Sequence, residues 1–294
     1  MSVIKKLSKS IHAVVKREGL GALVYRTIGT RHLRNLDPFL LLDDFKVIKP
    51  AGFPDHPHRG FETVTYMFDG VLQHEDFAGH KGSIGPGDVQ WMTAGKGIMH
   101  AEMPVSDTAC TGLQLWVNLP KKDKMVDPKY QELLSKNIPI VNKPGGGVTV
   151  KVIAGESYGT QAKIHTNSPI YYLDVNMEPN QSFEQVVPEG WTTFIYSITG
   201  SPIIENSKEK VDERTILIFN EHGNTVTVTS SSVPIRFVLI AGQPLKEPVF
   251  QDRLFVMNSL EETRKALEDY RNGENGFENA QDWRSSIGGH TSRL

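Results

Sequence analysis

The sequence predicts an all-β protein, two stacked antiparallel β-barrels with a few short helices. Three observations lead there. Short runs of alternating apolar and polar residues are closed by turn signals, as in Glu62 to Phe68 before Asp69-Gly70 and Val89 to Thr93 after Gly85-Pro86-Gly87-Asp88. The pattern resumes from Val148 to Val249, with apolar runs at Tyr171–Val175, Trp191–Ile198 and Arg236–Ala241. Between the two sets, Asn142 to Gly147 is rich in glycine and proline. The expected division is a first barrel over residues 1–137, a linker over 138–147, and a second barrel with a C-terminal helix over 148–294. A chain of 294 residues is long enough for two such cores.

Met1 to Arg17 is basic, with Ile4, Leu7, Ile11, Val14 and Val15 at roughly helical spacing. It reads as a solvated first element; a mitochondrial presequence would be richer in arginine. Asn35-Leu36-Asp37-Pro38 forms a turn, and Phe39 to Leu42 has the continuous apolar character of a buried strand. Asp43 and Asp44 follow at what reads as the strand end. His74, Glu75, Asp76 and His80 read as polar residues of a surface loop. Gln114 and Trp116 alternate in an apolar strand, and either face the barrel cavity as ligand contacts or fill its core. Asp127-Pro128 before Lys129–Lys136 predicts a capped helix with proline in its first turn. Ser259-Leu260-Glu261-Glu262 is a capping box opening a helix to about Arg271, ended by Gly273. One further helical turn is expected within Phe277–Ser285. The polar stretch Ser286–Leu294 is expected to be disordered at its end.

The chemistry concentrates between Asp55 and Glu102, which opens with DHPHRGFE and closes with GKGIMHAEMP. His56 and His58 stand two apart, so on a strand both imidazoles leave the same face; His100 and Glu102 repeat the spacing. Two such strands can close three imidazoles and one carboxylate around a single divalent ion. No thiolate is supplied, and the open positions left by four N/O ligands favour iron(II) over closed, tetrahedral structural zinc. The second barrel has no His-x-His; His165 and His222 are far apart and have no carboxylate two residues away, so it is expected to be metal-free.

With a net charge of −2, the chain carries no electrostatic footprint for direct nucleic-acid binding. Its single cysteine, Cys110, excludes an internal disulfide or an iron–sulfur cluster and fits a reducing compartment. No apolar run reaches membrane-spanning length, and none follows the first lysines as a secretory signal requires.

The spacing from Gly52 to Gly70, the GPGD turn and the later histidine resemble the two motifs of the cupin barrel. The strings NLDPFLLLDDF, GFPDHPHRGFETV, HEDFAGH, GDVQWMTAGKGIMHAEMP, GLQLWVNLP and FVLIAGQPLKEPV are similar to the eukaryotic pirin family, from about Gly19 to the C-terminus. The resemblance implies a jelly-roll bicupin acting as a monomer, with one iron, shuttling between iron(II) and iron(III), in the N-terminal barrel. Glu62 occupies a position that supplies a ligand in many cupins. In pirins the later His-x-Glu pair serves instead, which assigns the metal to His56, His58, His100 and Glu102 and leaves Glu62 behind them. The resemblance also implies quercetin 2,3-dioxygenase activity on a small aromatic substrate, with Glu102 as ligand and catalytic base. It further implies a redox-sensitive transcriptional coregulator of nucleus and cytoplasm, partnering nuclear factor kappa B and nuclear factor I type complexes. A dioxygenase without any transcriptional role is the alternative.

Overall fold

The structure, a computed structural model, describes residues 2–205, 207 and 211–288. The disordered end expected for the last residues lies outside that range. Strands dominate, and among the described residues the only α-helix is Leu260–Asn272, accompanied by two short 3-10 turns.

The chain forms two compact units, and neither is contiguous. One comprises residues 1–14, 36–38 and 136–244; the other comprises 15–35, 39–135 and 245–294. The expected contiguous boundaries are thereby corrected at both ends. The first strand, Leu7–His12, pairs with Thr215–Phe219 in the unit built mainly from the second half. The C-terminal helix packs with the first-half unit, where Met99, Phe255, Met257, Ala266, Phe277 and Ala280 share one apolar cluster. The apolar spacing of residues 4–15 produces strands because strand partners are available, and pairing outweighs a weak helical pattern.

In the second-half unit a seven-stranded sheet and a three-stranded sheet enclose an apolar interior. Val150, Leu173, Phe183, Leu217 and Phe237 are fully buried there. The stretch read as a linker carries a strand, Ile140–Asn142, paired with Val148–Ala154 across a glycine turn.

In the first-half unit the seven-stranded sheet runs in the order Lys129–Leu133, Val89–Thr93, Phe61–Asp69, Cys110–Asn118, Phe39–Val47, Ala22–Ile28, Val14–Glu18. A four-stranded sheet runs Phe53–His58, Ile98–Pro104, Leu72–Asp76, Lys81–Ile84. Val24, Phe45, Val47 and Met67 of the larger sheet pack with Leu72 and Ile84 of the smaller, which closes the barrel. The helix predicted over Lys129–Lys136 is instead an edge strand and a 3-10 turn. Lys129 to Leu133 pair in register with Thr93 to Val89, and completing that open sheet edge outweighs the capping signal.

Two buried cations fix the C-terminal segment against the turn that follows His58. Arg59 Nε donates to Lys96 O at 2.6 Å, Nη2 to Asn275 O at 2.7 Å, and Nη1 pairs with Asp269 at 2.7 Å. Lys124 Nζ donates to Gly60 O, Asn118 Oδ1 and Val256 O. Gly60 has φ +87°, and a Cβ there would stand 2.0 Å from Val256 O, so only glycine permits this approach. Burial works to raise the Asp269 carboxyl, but hydrogen bonds from Lys265, Arg59 and Asn275 outweigh it and hold it below the usual range. The anchor therefore contributes fully above about pH 4 and is lost as pH falls through that lowered value.

Replacing Arg59 by Leu removes the buried partner of Asp269 Oδ2, leaving that carboxylate to Lys265 and Asn275, and strands two carbonyls in the interior. The expected loss is about 3–5 kcal/mol in urea unfolding; a loss below about 1 kcal/mol, the scale of an exposed pair, would contradict the anchoring role.

Candidate metal centre

The site is built on two neighbouring antiparallel strands, Phe53–His58 and Ile98–Pro104. His100 stands directly opposite His56, and Ile98 opposite His58. Phe53–His58 is the edge of its sheet, which accommodates Pro54 and Pro57 because an edge strand tolerates missing N–H donors. A register shift between His100 and Glu102 brings Glu102 opposite Phe53. Ring centroids lie 4.3 Å apart for His56 and His100, 4.7 Å for His56 and His58, and 5.0 Å for His58 and His100. One ligand nitrogen from each of the three lies within 4.8 Å of the other two.

The protonation chemistry suits a cation. Burial holds His56 below its ordinary value; burial and the neighbouring rings hold His58 and His100 well below theirs. All three are neutral at pH 7, with lone pairs available. His56 Nδ1 meets Pro54 O at 2.7 Å, so it carries the proton and leaves Nε2 free. His100 is fully buried, yet among the described residues neither ring nitrogen has a hydrogen-bond partner. A buried imidazole left in that state costs free energy unless something supplies the missing interaction. A divalent ion fits this donor set.

Glu102 is buried beside the cluster, although its carboxylate is not one of the mutually close donor atoms. Thr65 Oγ1 donates to Oε1 at 3.1 Å and Gln114 Nε2 approaches Oε2 at 3.4 Å. Burial pushes its carboxyl up to about 7, against the Thr65 hydrogen bond. Glu62 faces the other side of its strand and accepts from Thr93 Oγ1 at 2.7 Å.

A cavity of about 1140 Å³ opens onto the cluster, lined by His56, His58, Glu102, Gln114 and Trp116 among others. Gln114 and Trp116 are thus cavity contacts; Trp116 also meets the His58 ring edge-on at 5.3 Å. Asp43 lies inside the strand Phe39–Val47, not at its end, and accepts from Arg26 Nε and Nη2 at 2.7 and 2.6 Å. The surface loop expected at His74–Asp76 is a buried strand: His74 stands opposite Glu102 and Asp76 opposite His100. His74 Nε2 pairs with Glu132 at 2.5 Å and stacks on Tyr130. Sequence reasoning misses these partners because the four polar residues Gln73 to Asp76, following a tight turn, read as loop. No apolar–polar alternation marks this strand, since Gln73 and Glu75 are as polar as His74 and Asp76.

The family pattern described as Pirin matches residues 21–117, and that of the Pirin C-terminal cupin domain matches residues 172–276. The chain is 50% identical to Pirin of Homo sapiens over 293 residues, covering 98% of this chain and 100% of that protein. The chain belongs to the pirin family. A Pirin-like protein of Solanum lycopersicum is also 50% identical, over 94% of this chain and 95% of its own. Among solved structures, a quercetin 2,3-dioxygenase from Acinetobacter baumannii superposes with a TM-score of 0.86 at 33% identity, covering 94% of this chain and 99% of that one. A bacterial pirin from Escherichia coli, solved in complex with nickel(II), shares the fold at 18% identity, with a TM-score of 0.63 over 79% of this chain and 95% of its own. The bicupin architecture expected from the sequence is the observed one.

Because neither His100 ring nitrogen has a hydrogen-bond partner among the described residues, His100→Leu removes a polar group that no side chain or backbone group compensates. Without metal the variant is expected to be more stable than the parent by about 1–3 kcal/mol, and added divalent metal should raise the melting temperature of the parent more than that of the variant. Equal destabilisation of both forms would contradict the assignment.

Proposed function

We propose that the protein is an iron-dependent dioxygenase of flavonol-like aromatics, of the quercetin 2,3-dioxygenase type. The observation that carries it is the three-histidine cluster opening onto a cavity with room for an aromatic substrate. The 33% identity to a quercetin 2,3-dioxygenase across nearly the whole chain supports it. His56, His58 and His100 would hold the ion, with Glu102 completing the set. When bound, iron(II) would supply oxygen activation and a Lewis-acidic anchor for the substrate's oxygens.

The protein's own residues do the rest. Leu40, Phe45, Phe53 and Trp116 offer apolar surface to a flat ring system and exclude water from it. Glu102 takes the proton of the flavonol hydroxyl. Beside a bound cation the carboxylate holds a proton less readily than it does alone, so it would take this one on loosening from the ion, and Thr65 and Gln114 aim its oxygens. The His74–Glu132 pair stands across the strand from Glu102 and keeps that wall of the barrel polar.

The coregulator role implied by the family resemblance, with its nuclear and cytoplasmic location and its transcription-factor partners, would draw on the same four residues. A redox sensor alone needs no room for a substrate, so the open cavity favours catalysis as the primary activity.

Iron(II)-loaded protein is expected to consume oxygen when quercetin is added, and Glu102→Gln to slow that uptake at least about 100-fold. Absence of uptake with iron demonstrably bound would contradict the proposal. Glu102 also predicts the proton balance of metal binding. Ligation requires the carboxylate while the imidazoles are already neutral, so binding at pH 7 should release about half a proton per chain. The release should rise toward one at pH 6 and vanish above about pH 8. Calorimetry in buffers of different ionisation enthalpy measures it, and Glu102→Gln should abolish it.

A further inference from the structure

The cavity wall is rich in charge beyond the histidines themselves. Glu18, Arg26, Arg31, Arg34, Asp43, Asp55 and Arg253 all line it, together with Glu102 at the histidine end. The acidic members are engaged. Asp43 and Glu18 both pair with Arg26, and Asp55 accepts from the backbone and side chain of Ser285. The remaining basic members are not. Arg31 touches only the neighbouring His32 ring, and among the described residues Arg31, Arg34 and Arg253 have no acidic partner.

Arg253 is held there at a cost. It occupies the two-residue turn between Phe250–Asp252 and Phe255–Met257 with φ +51°, a left-handed conformation that glycine or asparagine adopts more readily. A long, charged residue kept in such a backbone at a cavity rim marks a position where the side chain matters more than local propensity.

Resting on the dioxygenase reading above, we propose that this site takes an anionic aromatic: a hydroxylated ring system whose far end bears a fully ionised oxyanion, received by Arg31, Arg34 and Arg253. A guanidinium fork matches the paired oxygens of a sulfate or carboxylate, and its charge-assisted hydrogen bonds are the strong kind. The size of the cavity agrees. At about 1140 Å³ it exceeds the usual range for a drug-sized ligand, leaving room beyond the ring that reaches the histidines.

Calorimetric titration of the iron(II)-loaded protein, kept free of oxygen, tests it with three probes: quercetin, quercetin 3′-sulfate, and a carboxymethyl ether of quercetin. The parent should bind at least one anionic probe roughly tenfold more tightly than quercetin, with a preference that shrinks as salt rises. The two anionic arms separate a sulfate site from a carboxylate site. In the Arg34→Ala, Arg253→Ala double variant the ratio of affinities should fall toward one, and Arg253→Gly should lower it while relieving the turn. Equal binding of neutral and anionic probes by the parent, or a preference that survives in the double variant, would overturn the inference and leave the dioxygenase reading intact. Failure of all three probes to bind would overturn both.

Discussion

The pairing of Phe53–His58 with Ile98–Pro104 is the interaction on which the rest of the protein depends. It sets three neutral imidazoles within a few ångströms of one another, with His100 fully buried and without hydrogen bonds. The second-half unit fills its interior with apolar side chains instead, among them Val150, Phe183 and Leu217. The first-half unit accepts the cost of orphaned ring nitrogens, which is the expected signature of a site kept for binding and not for stability.

Much of the first-half unit holds that pair of strands in place. Arg59, the residue after His58, ties the turn to Asp269 and Asn275, while Lys124 binds the backbone of Gly60 and Val256. Ser285 and Ser286 then engage Asp55, beside His56, and Glu75, beside His74. The C-terminal segment is therefore part of the machinery that positions the site, although it is distant from it in sequence. The same edge strand carries Pro54 and Pro57, which cannot donate to a further strand and so leave the cavity side open.

The site was legible in the sequence because its signals are local. The spacing of His56 with His58 needs only strand alternation to predict a shared face, whereas the register shift after His100 leaves Glu102 buried beside the cluster and outside its mutually close donors; the capping box at Ser259 and Glu262 needs only one helical turn, seen as the Ser259 Oγ contact to the Glu262 N–H at 3.1 Å. What depended on distant partners was not legible. Lys129–Leu133 reads as a capped helix until Val89–Thr93 presents an open edge, and the exchange of terminal segments between the two units has no local mark. His74 and Asp76 look like loop residues because polarity normally means exposure; inside a barrel that surrounds a polar site it does not.

X-ray absorption at the metal edge of the iron-loaded protein tests the central claim most directly. Three imidazole nitrogens in the first coordination sphere, falling to two in His100→Leu together with weakened binding, is the predicted result. A sphere with one imidazole or none, or full iron retention by His100→Leu, would show that the ion is held elsewhere and that the orphaned histidines serve another purpose.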